Sequence, residues 1–370
     1  MIGLKNLKVL NRLIIGLKSG GIFLMINIKK LSLIVFIIYV GGCMEPNQED
    51  IWSVKVDAVL NTNGFCRSLS VSNDTAYVAA GQSGVQIWDL NNEVKLQNYF
   101  GYIQDFANIE FDDIVLVKRD EVNNLIFVTE SNKKVKIFES IIDTQFVYRN
   151  EIMSDRTKDY ISFSSSNNRF TMFVADNDDG LKWGKYRPDT TVDVFTGSVS
   201  INWLPVVGGE ILSEGKPLGI DSDGESKVVM AVDQLGVEFF SFDTIGNEPT
   251  FTKKIDLEGN AEQIKLTETG VFVSCDDAGA YFISNSYIES DEGSLTQFAM
   301  DLTVDHISTN NNIAILSLGS SGIALYDISD PKNPISKGIF DIGYVYKSYV
   351  WKDRFLLCTR SGIKIISINQ

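Results

Sequence analysis

The chain has 370 residues, with 33 Lys and Arg against 48 Asp and Glu, for a formal net charge of −15. That acidity argues against a nucleic-acid binder, because such affinity comes mainly from clustered lysine and arginine releasing counterions from phosphate, and against unaided attraction to anionic lipid headgroups. The single histidine, His306, leaves the chain without the usual arrangement of a Ser-His-Asp or Cys-His nucleophile, and neither a P-loop glycine pattern nor a zinc-protease histidine pair occurs.

In chain order, the first feature is an apolar run, Leu31 to Val40, preceded by Lys29 and Lys30 and followed by Gly41-Gly42-Cys43. A basic start, a short apolar middle and small residues mark a secretory signal, and the run is too short for a bilayer core that needs about 20 residues. Val40-Gly41-Gly42-Cys43 resembles the bacterial lipobox, which implies that Cys43 is lipid-modified and becomes the first mature residue. Residues 1–42 are therefore expected to be the signal region, with Met25 preferred as initiator because Met25 to Lys30 makes a compact basic start, whereas Met1 makes a long one. Removing the six basic residues of 1–42 (Lys5, Lys8, Arg12, Lys18, Lys29, Lys30) from 33 leaves 27 against 48 acidic, a mature charge of −21. Membrane contact is then expected through lipid on Cys43, where two or more acyl chains give stable anchoring. Residues 43–51 form a polar tether. Its Gln48-Glu49-Asp50 patch resembles signals that send lipoproteins to the outer face of an outer membrane, and it also fits an ordinary acidic linker.

From Trp52 onward there is no sustained helical period. Short apolar strands alternate with turns rich in Gly, Asp, Asn and Ser, the pattern of an all-β fold. One hairpin recurs seven times, and taking Tyr77, Ile126, Met172, Val229, Phe272, Ala314 and Leu356 as equivalents the steps are 49, 46, 57, 43, 42 and 42 residues. A second landmark, Ile255-Asp256-Leu257, Met300-Asp301-Leu302 and Phe340-Asp341-Ile342, recurs at 45 and 40 residues. A period near 42 with about four strands predicts a seven-bladed β-propeller over 52–370, whose radial repetition leaves only short strand edges. The last unit has room for three strands, Val345 to Lys352, Phe355 to Thr359 and Ile363 to Ile368. Residues 52–60, in which Trp52, Val54, Val56, Ala58 and Leu60 alternate with Ser53, Lys55 and Asp57, are expected to supply the fourth and close the ring.

The units resemble the LVIVD-repeat family of exported bacterial propellers. The resemblance is carried best by Leu318-Gly319-Ser320-Ser321-Gly322-Ile323-Ala324-Leu325-Tyr326-Asp327-Ile328-Ser329-Asp330-Pro331-Lys332-Asn333-Pro334. It is good at Ala79 to Asn92, recognisable from Val174-Ala175-Asp176 to Leu181, and weakest in unit two, where Lys133-Lys134 replaces the turn glycine. Glycines such as Gly84 and Gly322 permit a turn with positive φ. The isolated Trp88-Asp89 pair does not recur and is no WD repeat.

Candidate chemistry is sparse. His306, in an alternating segment read as the inner strand of blade six, is a possible channel residue with a structural role as the competing reading. Asp176, Asp178 and Asp179, Asp221 and Asp223, and Asp276 and Asp277 suggest calcium, but the EF-hand template fails: five residues before Gly180 and Gly224 stand Ala175 and Gly219, and the twelfth positions are Tyr186 and Met230. These clusters are read as solvated turns, with no metal and no cofactor expected. Cys66, Cys275 and Cys358 are read as core thiols, an odd number without zinc spacing. Trp183 and Trp203, in a long insertion from Tyr186 to Pro217 and just before it, and Trp351, in the aromatic stretch Tyr344 to Trp351, are candidate binding aromatics; packing between blades is the equal alternative. The expected function is a lipid-anchored cell-envelope propeller, located at an outer membrane, that binds or scaffolds an envelope protein or glycan. No catalytic residue is assigned. The alternative is an envelope hydrolase or lyase acting on carbohydrate or peptide through carboxylates in the central channel.

Overall fold

The computed structural model describes residues 51–370 except 141–144, 153, 166–168, 193, 196, 198 and 244–247. The signal region, Val40, Gly41, Gly42, Cys43 and the rest of the tether to residue 50 lie outside the described residues. The unit from Trp52 to Gln370 is a ring of seven sheets, antiparallel but for one parallel pair; among the described residues six have four strands and one has six. Blade 1 is built from β2 (Ser68–Ser72), β3 (Thr75–Ala79), β4 (Val85–Asp89) and β5 (Val94–Tyr99) in that order from the axis outward. The pattern repeats with inner strands β8 (Ile114–Asp120), β12 (Thr157–Ser165), β16 (Pro217–Ser222), β20 (Gln263–Leu266) and β24 (His306–Asn310).

Blade 7 is closed as the alternation at 52–60 predicts. Its own strands β28 (Val345–Trp351), β29 (Arg354–Thr359) and β30 (Gly362–Asn369) are joined by β1 (Ser53–Leu60) as the outermost strand. The ladder runs from Ser53↔Asn369 to Leu60↔Ile363 with one bulge between Val56 and Ala58. Trp52 and Leu60 are buried, whereas Val56, beside the bulge, is 41% exposed.

The core is divided among the blade interfaces. Seven apolar clusters lie one to each interface, so no gap interrupts the ring. The seam between blades 7 and 1 holds Leu60, Cys66, Leu69, Val78, Trp88, Trp351, Leu356 and Cys358. Main-chain bridges reinforce several interfaces: Gly81↔Ile114, Asp233↔Ala261, Asp276↔Val304 and Gly319↔Val345 each tie a turn of one blade to the start of the next inner strand.

The turn glycines have a steric cause. At Gly84 (φ +79) a Cβ would fall against the carbonyl of Tyr99 on the outer strand, and at Gly322 (φ +83) against that of Phe340. Blade 2 escapes the requirement by moving its left-handed residue to Asn132 (φ 53), an amide side chain that tolerates this region. Blade 2 also carries an extra hairpin, β6 (Gly101–Gln104) and β7 (Ala107–Glu110), of which β6 pairs parallel with β11 (Phe146–Glu151).

Two details depart from the sequence reading. All seven landmark residues lie on second strands, but the ladders Ser68↔Ala79, Leu116↔Thr129, Asp159↔Ala175 and His306↔Ser317 make Phe127, Phe173 and Ile315 the equivalents of Tyr77. Apolar residues stand side by side there, so periodicity alone left the register one residue off. The insertion in unit three is not a separate loop: it lengthens β14 (Gly180–Val192) and β15 (Val199–Ile211) into a hairpin of thirteen residues per strand. Among the described residues, no helix is long and apolar enough to cross a membrane.

Candidate functional site

The inner strands enclose the central channel, and their ladders set seven residues at one level: Ser68, Leu116, Asp159, Gly219, Gln263, His306 and Lys347. A cavity of about 360 Å³ is lined there by Lys118, Asp159, Asp221, Lys265, His306, Ser308, Lys347 and Tyr349, among others. A second cavity of about 340 Å³, lined by Arg67, Lys158, Glu262, Asp305, Tyr346 and Lys347, lies at the mouth where these strands begin. Lys347 lines both.

Much of the polar wall is architectural. Side chains of one inner strand accept amide hydrogens of the next: Ser70 Oγ from Arg119 (3.2 Å), Asp159 Oδ2 from Ile220 (3.5 Å), Asp221 Oδ2 from Leu266 (2.9 Å) and His306 Nδ1 from Ser348 (3.4 Å). An inner strand has a free edge toward the axis, and these acceptors satisfy amides that no fifth strand reaches. His306 is thus a half-buried channel residue that ties blade 6 to blade 7. Burial, then Lys347 and Lys265, holds its imidazole well below the usual range, so it is neutral at neutral pH with the proton on Nε2.

The cations are less fully engaged than the carboxylates. Lys265 pairs with Asp221 at 3.0 Å. Lys118 donates to the Tyr160 carbonyl and lies 5.0 Å over its ring, and burial lowers its pKa against the pull of Asp159 and Asp221. The Lys347 ammonium has no hydrogen bond or ion pair among the described residues. Buried Ser68 Oγ and Arg67 Nε on the adjoining blade also lack partners.

Around the mouth, blades 7 and 1 form an aromatic and arginine cluster. Arg360 lies 4.0 Å over Tyr344, Arg67 5.1 Å over Tyr346 and 5.7 Å over Phe65, and the Tyr344 and Tyr346 rings are 4.6 Å apart. Phe65 is 46% exposed. Blades 5 and 6 face this with Glu262 and Asp305. Burial, then Asp276, Asp305 and Asp233, pushes Glu262 up to about 7, with Lys347 opposing; burial and Asp276 raise Asp305.

This predicts a pH signature. Folded Glu262 keeps a proton that the unfolded chain releases between its usual 4.5 and about 7. Its contribution is therefore present below 4.5 and lost as pH rises through about 7. Glu262→Gln should raise stability at about pH 8 by on the order of 1–2 kcal/mol after solvent screening, and leave it unchanged at about pH 4. Thermal melts at the two pH values check this.

Of the two readings of the tryptophans, exposed binding groups or packing between blades, burial at 7%, 5% and 6% exposure for Trp183, Trp203 and Trp351 matches the second. Trp203 packs against Phe170 between blades 2 and 3, the ring centroids 5.2 Å apart and the planes tilted by 40°. Trp351 packs at the seam and donates its indole hydrogen to Asp74 at 3.2 Å. Trp183 packs in the core yet edges a cavity of about 540 Å³ at the base of the long hairpin, its indole nitrogen lacking a partner among the described residues. The aromatic stretch does reach the mouth, but through Tyr344 and Tyr346. Phe65, Arg67 and Arg360 had no sequence signal beyond residue type, since ring closure alone brings 65–67 beside 344–360.

Among the described residues no group of three or more His, Cys, Asp or Glu is placed to hold an ion. Asp176, read as part of a solvated turn, is fully buried and accepts the amides of Asp155 (2.8 Å), Arg156 (3.3 Å) and Asp178 (3.1 Å). Asp221 belongs to the channel wall. The cysteines are buried as expected, with Cys66 and Cys358 in contact and Cys275 in the core between blades 4 and 5.

These features define a seven-bladed β-propeller with a polar central channel. No family description matches the chain, and no curated protein does. Among solved structures it is similar to the crystal structure of the computationally designed Ika8 protein, at 10% identity and a TM-score of 0.55 over 83% of this chain and 98% of that one, a likeness of fold alone.

Proposed function

We propose that this chain is an exported propeller of the LVIVD-repeat kind, anchored in the cell envelope through lipid on Cys43, and that its channel mouth binds a ligand presenting a carboxylate or phosphate beside an apolar face. The observation that carries this is the convergence of Arg67, Arg360 and unpaired Lys347 on Phe65, Tyr344 and Tyr346 in a strongly acidic chain. Arginine and tyrosine are the residues on which binding energy concentrates. The surface acidity is screened beyond about 8 Å at physiological salt, so it turns away large polyanions while a small anion at the mouth meets the cations directly.

Titration with three probes tests the reading. Phenylacetate, which joins a carboxylate to a ring, should bind more tightly than inorganic phosphate, and benzyl alcohol, which lacks charge, should bind least. Equal or absent binding of all three overturns it. The anchor is tested separately: Cys43→Ala should move the protein from the membrane fraction to the soluble one, and retention on the membrane would remove the lipid from the proposal.

A second reading, hydrolysis or lyase chemistry on a carbohydrate or peptide, is favoured by one observation, the carboxyl of Glu262 held near 7, where a general acid works well. The binding reading is preferred because Asp159 and Asp221, the carboxylates deeper in the channel, are held by main-chain amides of neighbouring blades, and Asp305, beside Glu262 at the mouth, is itself raised by burial and Asp276. Turnover abolished by Glu262→Gln would reverse that preference.

A further inference from the structure

We propose that Cys66 and Cys358 form a disulfide that locks blade 1 to blade 7 across the seam where the ring closes. The two residues are 292 positions apart in sequence, their sulfurs lie 2.8 Å apart, and both are fully buried in the same apolar cluster. The backbones are fixed side by side independently of the side chains, because the amide of Cys66 donates to the carbonyl of Thr359 at 3.1 Å. A small side-chain rotation brings the sulfurs to bonding distance, about 2.05 Å.

The position of the pair gives it a purpose. Six of the seven interfaces join blades that follow one another along the chain. The seam joins the first blade to the last and is held by β1, the seam cluster and the hydrogen bond from the Cys66 amide to the Thr359 carbonyl. A covalent link across so long a loop removes more freedom from the open ring than a link within one blade could. The repeats also show that neither position requires cysteine for packing. Ile114, Ala261, Val304 and Val345 stand where Cys66 does, and Ala79, Ala175, Ala231, Ser274 and Ser317 stand where Cys358 does.

The chemistry is thiol–disulfide exchange with a disulfide-bearing oxidant, glutathione disulfide in the test tube. The thiolate of one cysteine attacks the oxidant, forming a mixed disulfide and releasing one glutathione thiolate. The second cysteine thiolate attacks the mixed disulfide and releases the other. Two protein thiols are oxidised, one glutathione disulfide is reduced, and the two protons pass to the released glutathiones. In the closed ring burial keeps the Cys358 thiol protonated, so the exchange belongs to the stage of folding before the seam shuts. Cys275, whose thiol burial pushes up to about 12, stays reduced.

The test is independent of any ligand. The full chain is refolded in glutathione disulfide, denatured, alkylated without reductant, digested and examined by mass spectrometry. The peptides of Cys66 and Cys358 should be found joined, separating only on reduction, with Cys275 alkylated from the start. Reductant should lower the unfolding temperature by about 5 °C. Cys66→Ala and Cys358→Ala, which introduce a residue the other blades carry at the same positions, should fold and lose that response, while Cys275→Ala keeps it. Recovery of Cys66 and Cys358 both alkylated after oxidative refolding overturns the proposal, as does a reductant response that persists in Cys66→Ala.

Discussion

Replacing Lys347 with glutamate is expected to abolish anion binding at the channel mouth, and Lys347→Gln to weaken it about tenfold, or about 1.4 kcal/mol. Two unit charges about 4 Å apart interact by about 4 kcal/mol at an effective dielectric of 20, and desolvation of ligand and lysine offsets part of this. Stability should change little in Lys347→Gln, because the ammonium has no partner among the described residues and its removal orphans no group. Affinity should also fall as pH rises through about 7, where Glu262 across the mouth becomes charged, and Glu262→Gln should flatten that profile. Calorimetric titration of phenylacetate into each variant, with a melting curve for each, checks all of this. Unchanged affinity in Lys347→Glu would show that the ligand site lies elsewhere.

Deleting residues 52–60 is expected to have the largest effect on the fold itself. The segment buries Trp52 and Leu60, and its strand β1 completes blade 7 along the ladder with β30. Full burial of a large apolar side chain contributes about 1.5–3 kcal/mol, and the deletion also exposes the edge of β30 and strips Leu60 from the seam cluster. Against a net stability of about 5–15 kcal/mol for folded proteins, the truncated chain should aggregate or melt at least 10 °C lower, at roughly 1–2 °C per kcal/mol for a unit of this size. A synthetic peptide of residues 52–60 added in trans should restore part of the loss. A truncated chain that melts with the parent would mean that closure by β1 contributes little.

Both expectations begin from features that differ in how legible they are. The strand at 52–60 is legible as part of blade 7 in the sequence, because its alternation and the missing strand of the last unit are complementary. Its buried ends followed the alternation, while Val56 did not, since a bulge cannot be read from a period of two. Trp351 and Tyr346 show the opposite case. They sit on one strand in one aromatic stretch, yet the first packs into the seam and the second borders the mouth, and only the distance of each from the channel end decides this.

The sequence by itself determined the number of blades, their four-strand pattern apart from the extra hairpin of blade 2, the turn glycines and the identity of the closing strand, because each depends on local alternation and on a repeat spacing that short-range sterics and apolar patterning express directly. Only the tertiary structure decided which polar residues face one another. Ser68, His306 and Lys347 come from three blades to one level of the channel, Arg67 and Phe65 meet Tyr344 and Arg360, and Cys66 meets Cys358, through the curvature that closes seven sheets on themselves. Contacts so distant along the chain leave no trace in a single sequence, since what joins them is the geometry of the closed ring.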